Sequence, residues 1–140
     1  MRKSLLDTDI LSEISKGINK SVLARASRYL DEHGNFTFTS ISVYEALYGL
    51  KAKPAPLQAA RLLELVTIHD EILPDETDYR FAADIRAAMH LPGTEIGRAD
   101  PVIAACAYRR HLAMVTGNAK HYQFIVDAGF QLDLENWRDA

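Results

Sequence analysis

Apolar residues along this chain fall into short continuous runs of strand type alternating with longer stretches that repeat every three to four residues, a pattern that predicts strands separated by helices. The first run, Leu5-Leu6, stops at Asp7-Thr8-Asp9. It reads as a buried strand that delivers a carboxylate at its C-terminal end, with Asp9 placed to cap a following helix. Ile10, Leu11 and Ile14 share a helix face up to Lys16, and Gly17 can end that helix in a left-handed turn. Asn19 reads as the N-cap of a second helix carrying Val22, Leu23, Ala26, Tyr29 and Leu30, closed by Gly34. Residues 35–41 alternate Phe and Thr and read as a second strand. Ser42-Val43-Tyr44-Glu45 matches a capping box and opens a helix with Ala46, Leu47 and Leu50 on its apolar side.

Residues 51–56, with two lysines and two prolines, read as a loop. A short helix over 57–65 is expected to turn Leu57, Ala60, Leu63 and Leu65 inward, and residues 66–73 read as a third strand, polar on one side at Asp70 and Glu71. Pro74-Asp75 begins a long helix with Tyr79, Ala82, Ala83, Arg86 and Met89 as its stripe, ending by Pro92-Gly93. After a loop over 91–99, Asp100-Pro101 reads as an N-cap followed by proline at the first helical position. The helix it opens, with Val102, Ile103, Cys106 and Ala107, should be buried. Residues 112–116 give a fourth strand, 119–128 a helix ended by Gly129, and 130–134 a fifth strand. The expected fold is α/β: one domain over residues 1–140, a three-layer α/β/α sandwich with a mostly parallel four- to five-stranded sheet.

In right-handed βαβ units, helix N-termini and strand C-termini share one edge of the sheet. Asp7, Glu45, Asp100 and Asn118, the last just beyond Thr116 of the fourth strand, all fall on that edge, where open α/β sheets bind ligands. Each also has a plain structural role: Glu45 as the partner of Ser42 in a capping box, Asp100 as an N-cap, Asn118 as a turn residue. Electrostatics separates the two interpretations. Two carboxylates ~4 Å apart repel by about 4 kcal/mol at an effective dielectric of 20, so three converging acids call for a cation. Oxygen ligands without paired His or Cys favour a hard ion, Mg²⁺ or Mn²⁺, which suits phosphate chemistry.

Composition narrows the field. Apolar content of 48% and charged content of 25% are ordinary for a globular domain. The net charge of −3 does not advertise nucleic-acid binding, so a polyanion would be held by a local patch or through a metal ion. Cys106 is the only cysteine, which excludes an internal disulfide and a Cys-based zinc site, and it reads as a buried inert thiol. His33, His69, His90, His111 and His121 show no metal spacing, and His121 alone lies near the proposed edge. The longest apolar stretch, residues 102–108, is far below the ~20 residues that span a bilayer, and no signal-peptide core survives Ser4, Asp7 and Asp9, so a cytoplasmic location without membrane attachment is expected.

Four blocks of this sequence together resemble the PIN-domain ribonucleases, most closely VapC-type toxins of bacterial toxin–antitoxin modules. They are residues 5–11 (LLDTDIL), 40–50 (SISVYEALYGL), 100–107 (DPVIAACA) and 115–122 (VTGNAKHY). The resemblance implies a metal-dependent endoribonuclease in which Asp7, Glu45 and Asp100 bind Mg²⁺ or Mn²⁺ and the Thr116 hydroxyl supports the site. It also implies an RNA substrate, a cognate VapB-type antitoxin whose C-terminal segment lies over the active site, and a homodimer or a higher toxin–antitoxin assembly. Asn118 departs from the acid found at that position in many PIN domains, which removes one charge and puts a second tightly held metal in question. Tyr122 replaces the commoner Phe. Arg98, Lys120, His121, Lys51 and Lys53 are candidate phosphate or substrate contacts, and Tyr44 or Tyr48 could stack on bases, single-stranded RNA being the expected class.

Two other readings compete. Asp7-Thr8-Asp9 also opens like a haloacid-dehalogenase-type phosphatase, with Asp7 as nucleophile, but Leu11 and the lack of a late G-D-x-x-x-D pair count against it. A non-catalytic receiver-like module would use Asp7 and Asp9 with Lys120, yet the third strand offers no convincing phospho-acceptor.

Overall fold

The structure, a computed structural model, describes residues 1–90 and 99–139. The predicted 91–99 loop, the Pro92-Gly93 helix end and Arg98 therefore lie outside the described residues, Ala99 excepted. Within them the chain runs β1 (Ser4–Leu6), α1 (Thr8–Lys16), α2 (Lys20–His33), β2 (Thr37–Thr39), α3 (Ser40–Ala52), α4 (Pro56–Ile68), β3 (Asp70–Ile72), α5 (Glu76–His90), α6 (Asp100–Arg109), β4 (Ala113–Val115), α7 (Ala119–Asp127) and β5 (Leu134–Glu135).

Every strand pairing is parallel. β4 sits between β1 and β5 in one ladder, and β2 pairs with β3 in another. β1 and β2 run close together without a ladder between them, so the expected single sheet is hydrogen-bonded as two pieces. Alternation along the strands makes the three layers. Leu5 and Met114 enter a core with α5, α6 and α7. Their neighbours Leu6 and Val115 enter a second core with α1, α2, α3 and α4.

Local chemistry sets the element ends. Gly17 ends α1 at φ 69°, the left-handed conformation in which a Cβ is strained, and Asn19 caps α2 by accepting from the Val22 N–H at 3.0 Å. α4 is longer than expected and absorbs residues 66–68, leaving β3 as a short, mostly exposed edge strand. Its inward face is Ala59 and Leu62, whereas Leu57 and Leu63 are 63% and 48% exposed, opposite to the predicted face. In α5 the predicted stripe holds in part: Ala82 and Met89 are buried, but Asp78 and Ile85 complete the inward face, while Ala83 and Arg86 are exposed and Tyr79 is half exposed. α3 starts earlier than expected and runs through Lys51, while β5 lies at 134–135 rather than 130–134.

Candidate metal-binding cleft

Asp7, Thr39 and Thr116 each follow directly on the last residue of, or end, a parallel strand, which brings them to one edge of the sheet. There Asp7, Thr8, Asp9, Glu45, Asp100 and Asn118 line an open cleft of about 320 Å³. Asp7 is the buried centre, at 3% exposure. Its Oδ1 accepts from the Thr8 N–H at 2.8 Å, and its Oδ2 accepts from the Thr116 hydroxyl at 2.8 Å. Thr116 is fully buried, and its Oγ1 in turn accepts from the Asn118 N–H at 2.9 Å.

Three capping roles expected from the sequence shift, each by a definite cause. Asp7, not Asp9, is the N-cap of α1. Asp9 sits in the first turn, where its Oδ1 accepts from the Ile10 N–H and its Oδ2 from the Gly117 N–H, both at 2.8 Å. Thr39 caps α3 by accepting from the Ser42 N–H at 3.2 Å, so there is no capping box between Ser42 and Glu45. Glu45 turns its Oε1 to the Thr8 hydroxyl instead, at 2.7 Å, with Ser42 Oγ 3.1 Å from the same hydroxyl. Ala99 holds the N-cap position of α6 without a side-chain bond, and Asp100 is the first helical residue and lines the cleft.

Electrostatics around Asp7 is adverse to a bare anion. Burial, then repulsion from Asp9, then Asp100, outweigh the Thr116 and Thr8 hydrogen bonds and push its carboxyl up from 3.8 to about 7. Burial also raises Asp9, against the pull of Arg138 and the Gly117 N–H. Beneath the cleft the Tyr122 hydroxyl is buried with no hydrogen-bond partner among the described residues, and burial plus the charges of Asp7 and Asp100 hold it protonated. A divalent cation answers this arrangement, since it favours the ionised form of each acid it meets.

Among the described residues no three acidic, imidazole or thiol groups close into a ready-made cage. The donor set, carboxylates plus an amide around an open cleft, fits an ion such as Mg²⁺ that keeps several of its waters. Lys51, Lys120 and His121 are exposed and do not line the cleft; Lys51 belongs to the last turn of α3, and Lys120 and His121 to the first turn of α7. Tyr44 and Tyr48 are 74% and 70% exposed on α3. The Cys106 thiol is buried, as expected, and pushed up to about 12, by burial first and then by Asp78, which disfavours the reactive thiolate.

Arg138 had no place in the sequence reading. Its Nη1 lies 3.5 Å from Asp9 Oδ2 and its Nη2 3.4 Å from Glu13 Oε1. A separation of more than a hundred residues leaves no local signal for such a contact.

A parallel α/β/α domain with an acidic cleft at the C-terminal ends of its strands defines a class, and the PIN domain family model matches residues 4–125 of this chain. The chain belongs to the PIN-domain family. Within it, the chain is 29% identical over 128 residues to a tRNA(fMet)-specific endonuclease VapC of Shigella flexneri, covering 88% of this chain and 92% of that protein. It is 28% identical over 138 residues to ribonuclease VapC2 of Haemophilus influenzae, covering 98% and 99%. Among solved structures it resembles DNA-bound VapBC of Salmonella typhimurium, with TM-score 0.79, 25% identity and coverage of 98% and 99%. VapBC2 of Rickettsia felis bound to a promoter DNA fragment shares the fold at TM-score 0.79, with 23% identity and coverage of 96% and 98%.

Proposed function

We propose that this chain is a Mg²⁺- or Mn²⁺-dependent endoribonuclease and the toxin of a type II toxin–antitoxin pair. The observation that carries the reading is the meeting of Asp7, Glu45, Asp100 and Asn118 in one cleft, with Asp7 buried among like charges. The VapC names of the relatives and the VapBC complexes among the structural neighbours support it.

Asp7, Asp100 and Glu45 would hold the ion. When bound, it lowers the pKa of a water and stabilises charge on a phosphodiester oxygen. The remaining work falls to this chain. The Thr116 hydroxyl fixes one oxygen of Asp7, the Thr8 hydroxyl fixes one of Glu45, and the exposed Asn118 amide stands at the rim to orient water or substrate. Lys51, Lys120 and His121 lie outside the cleft lining, so they serve as contacts to flanking RNA phosphates, as does Arg98. Water attacks the phosphorus, the P–O bond to one ribose breaks, and the leaving oxygen takes up a proton. The partners are RNA, a VapB-type antitoxin and a second copy of the chain. No helix among the described residues is long and apolar enough to cross a membrane.

Incubating purified, antitoxin-free protein with a mixed RNA pool tests the proposal. Cleavage is expected with Mg²⁺ or Mn²⁺, with losses of at least about a hundredfold in Asp7→Asn and Asp100→Asn. Cleavage that survives EDTA, or both substitutions, contradicts it.

A further inference from the structure

In the loop between β4 and α7, Gly117 lies directly under the side chains of Asp9 on α1 and of Arg138. A Cβ on Gly117 would stand 2.3 Å from Asp9 Oδ2 and 2.3 Å from Arg138 Nη1. A side chain there would have to push aside the ends of these two side chains, a carboxylate and a guanidinium that close over the backbone from outside. The Gly117 N–H donates to Asp9 Oδ2 at 2.8 Å, and Arg138 reaches both Asp9 and Glu13 on α1.

Arg138 is itself held in place. Its N–H donates to Asn136 Oδ1 at 3.0 Å, and the preceding Trp137 ring is fully buried beside Tyr29. Ser21 Oγ donates to the Trp137 carbonyl at 2.8 Å and Arg25 Nη1 to the Asn136 carbonyl at 2.8 Å. A strap anchored on α2 thus delivers one cation to the outer wall of the cleft.

The residues on either side of Gly117 are the ones that reach inward. Thr116 donates to Asp7 Oδ2, and the Asn118 N–H closes the turn on Thr116 Oγ1. Thr116 and Gly117 therefore tie the loop to Asp7 and Asp9 by successive hydrogen bonds, and displacement of Gly117 moves both neighbours. We propose that Asp9 and Arg138 form a clamp over Gly117 that sets the positions of Thr116 and Asn118, which makes Arg138 a positioning residue of the cleft. Asp9 acts there through the loop, while Arg138 offsets its negative charge beside Asp7.

The clamp rests on the nuclease reading only for its effect on turnover; its effect on the loop belongs to the metal-free protein. The test combines amide hydrogen exchange of metal-free protein with RNA cleavage kinetics in Mn²⁺ for Arg138→Ala, Arg138→Lys and Gly117→Ala. Arg138 is 36% exposed, so its variants keep the core intact. In Arg138→Ala the Gly117 and Asn118 amides should exchange about tenfold faster while those of β1 and β4 stay unchanged. kcat should fall on the order of tenfold with KM within about twofold, the signature of misplaced groups rather than lost binding. Arg138→Lys should recover most of both effects, and Gly117→Ala should reproduce the loss of kcat. Unmoved Gly117 and Asn118 amides, or faster exchange spread evenly over the whole chain, overturn the clamp. Faster loop exchange with unchanged kcat overturns its positioning role. If the wild type cuts no RNA while the loop amides respond as expected, the nuclease reading fails and the clamp stands.

Discussion

Asp7 carries opposed demands on a single carboxylate. As an N-cap and the acceptor of the Thr116 hydroxyl it organises the cleft, yet burial and the charges of Asp9 and Asp100 hold its pKa at about 7 rather than 3.8. Between those values the folded chain binds a proton that the unfolded chain has released. The metal-free protein therefore loses stability as pH rises from about 4 to about 7, by on the order of 4 kcal/mol at most. Asp7→Asn keeps an acceptor and removes the charge. Denaturant melts should show it more stable than wild type at pH 8 without metal, and equal or weaker at pH 4, while Mn²⁺ binding disappears. A wild type whose stability is flat from pH 4 to 8 would show that Asp7 is not strained by its neighbours. The place of this residue at the C-terminal end of the first strand was legible in the sequence because a carboxylate ended an apolar run. Its capping role was misassigned because Asp7, Thr8 and Asp9 are all good caps, and only the tertiary bond from Gly117 to Asp9 decides among them. Glu45 and Asp100 shifted for the same reason: Thr39 and Ala99 took the cap positions, leaving both acids to the cleft.

Helix phase is the next scale, and here the sequence was ambiguous in a physical sense. α4 carries leucines at 57, 62, 63 and 65, so more than one face is apolar, and packing against α1 and α3 selects Ala59 and Leu62. Leu62→Ala should cost about 2–5 kcal/mol and Leu57→Ala under about 0.5 kcal/mol in equilibrium unfolding, since only the first opens a cavity. The reverse order would return the helix to the face the sequence suggested. α5 hides a buried acid that the predicted stripe missed. Asp78 is fully buried, caps reciprocally with Asp75, and accepts from Arg109 at 2.7 Å and from both terminal nitrogens of Arg110 at 2.9 and 3.0 Å. Burial alone would raise its pKa, but the Arg110, Asp75 and Arg109 hydrogen bonds outweigh it and hold the carboxyl well below the usual range. Asp78→Ala should cost about 1–3 kcal/mol, because it removes the acceptor shared by Arg109 and Arg110, which are partly exposed and keep Asp75 and the Cys106 carbonyl as partners. The depressed pKa also means that Asp78 contributes fully above the usual carboxylate range. That contribution fades as acid protonates it, so the variant should show a shallower loss of stability below pH 4.

At the scale of the whole molecule, strand order brings distant acids to one edge. That much followed from the alternation of strands and helices, because parallel strands place all their C-terminal ends together. The division of the sheet into two ladders and the strap through Trp137 and Arg138 did not follow. Both depend on contacts between segments far apart in sequence, and Trp137 stands in the sequence with no periodic neighbours to announce its burial. Under the proposed function, the net charge of −3 would place the weight of RNA binding on an ion in the cleft rather than on a basic surface. In the proposed mechanism Asp7 and Asp100 hold the cation on which cleavage depends. The most direct test is to titrate Mn²⁺ into wild type, Asp7→Asn and Asp100→Asn by calorimetry and to follow RNA cleavage over the same Mn²⁺ range. Cleavage in the wild type should rise in step with occupancy of the site, and either substitution should abolish both. Mn²⁺ binding unchanged by both substitutions, or cleavage that proceeds before any ion is bound, would contradict it.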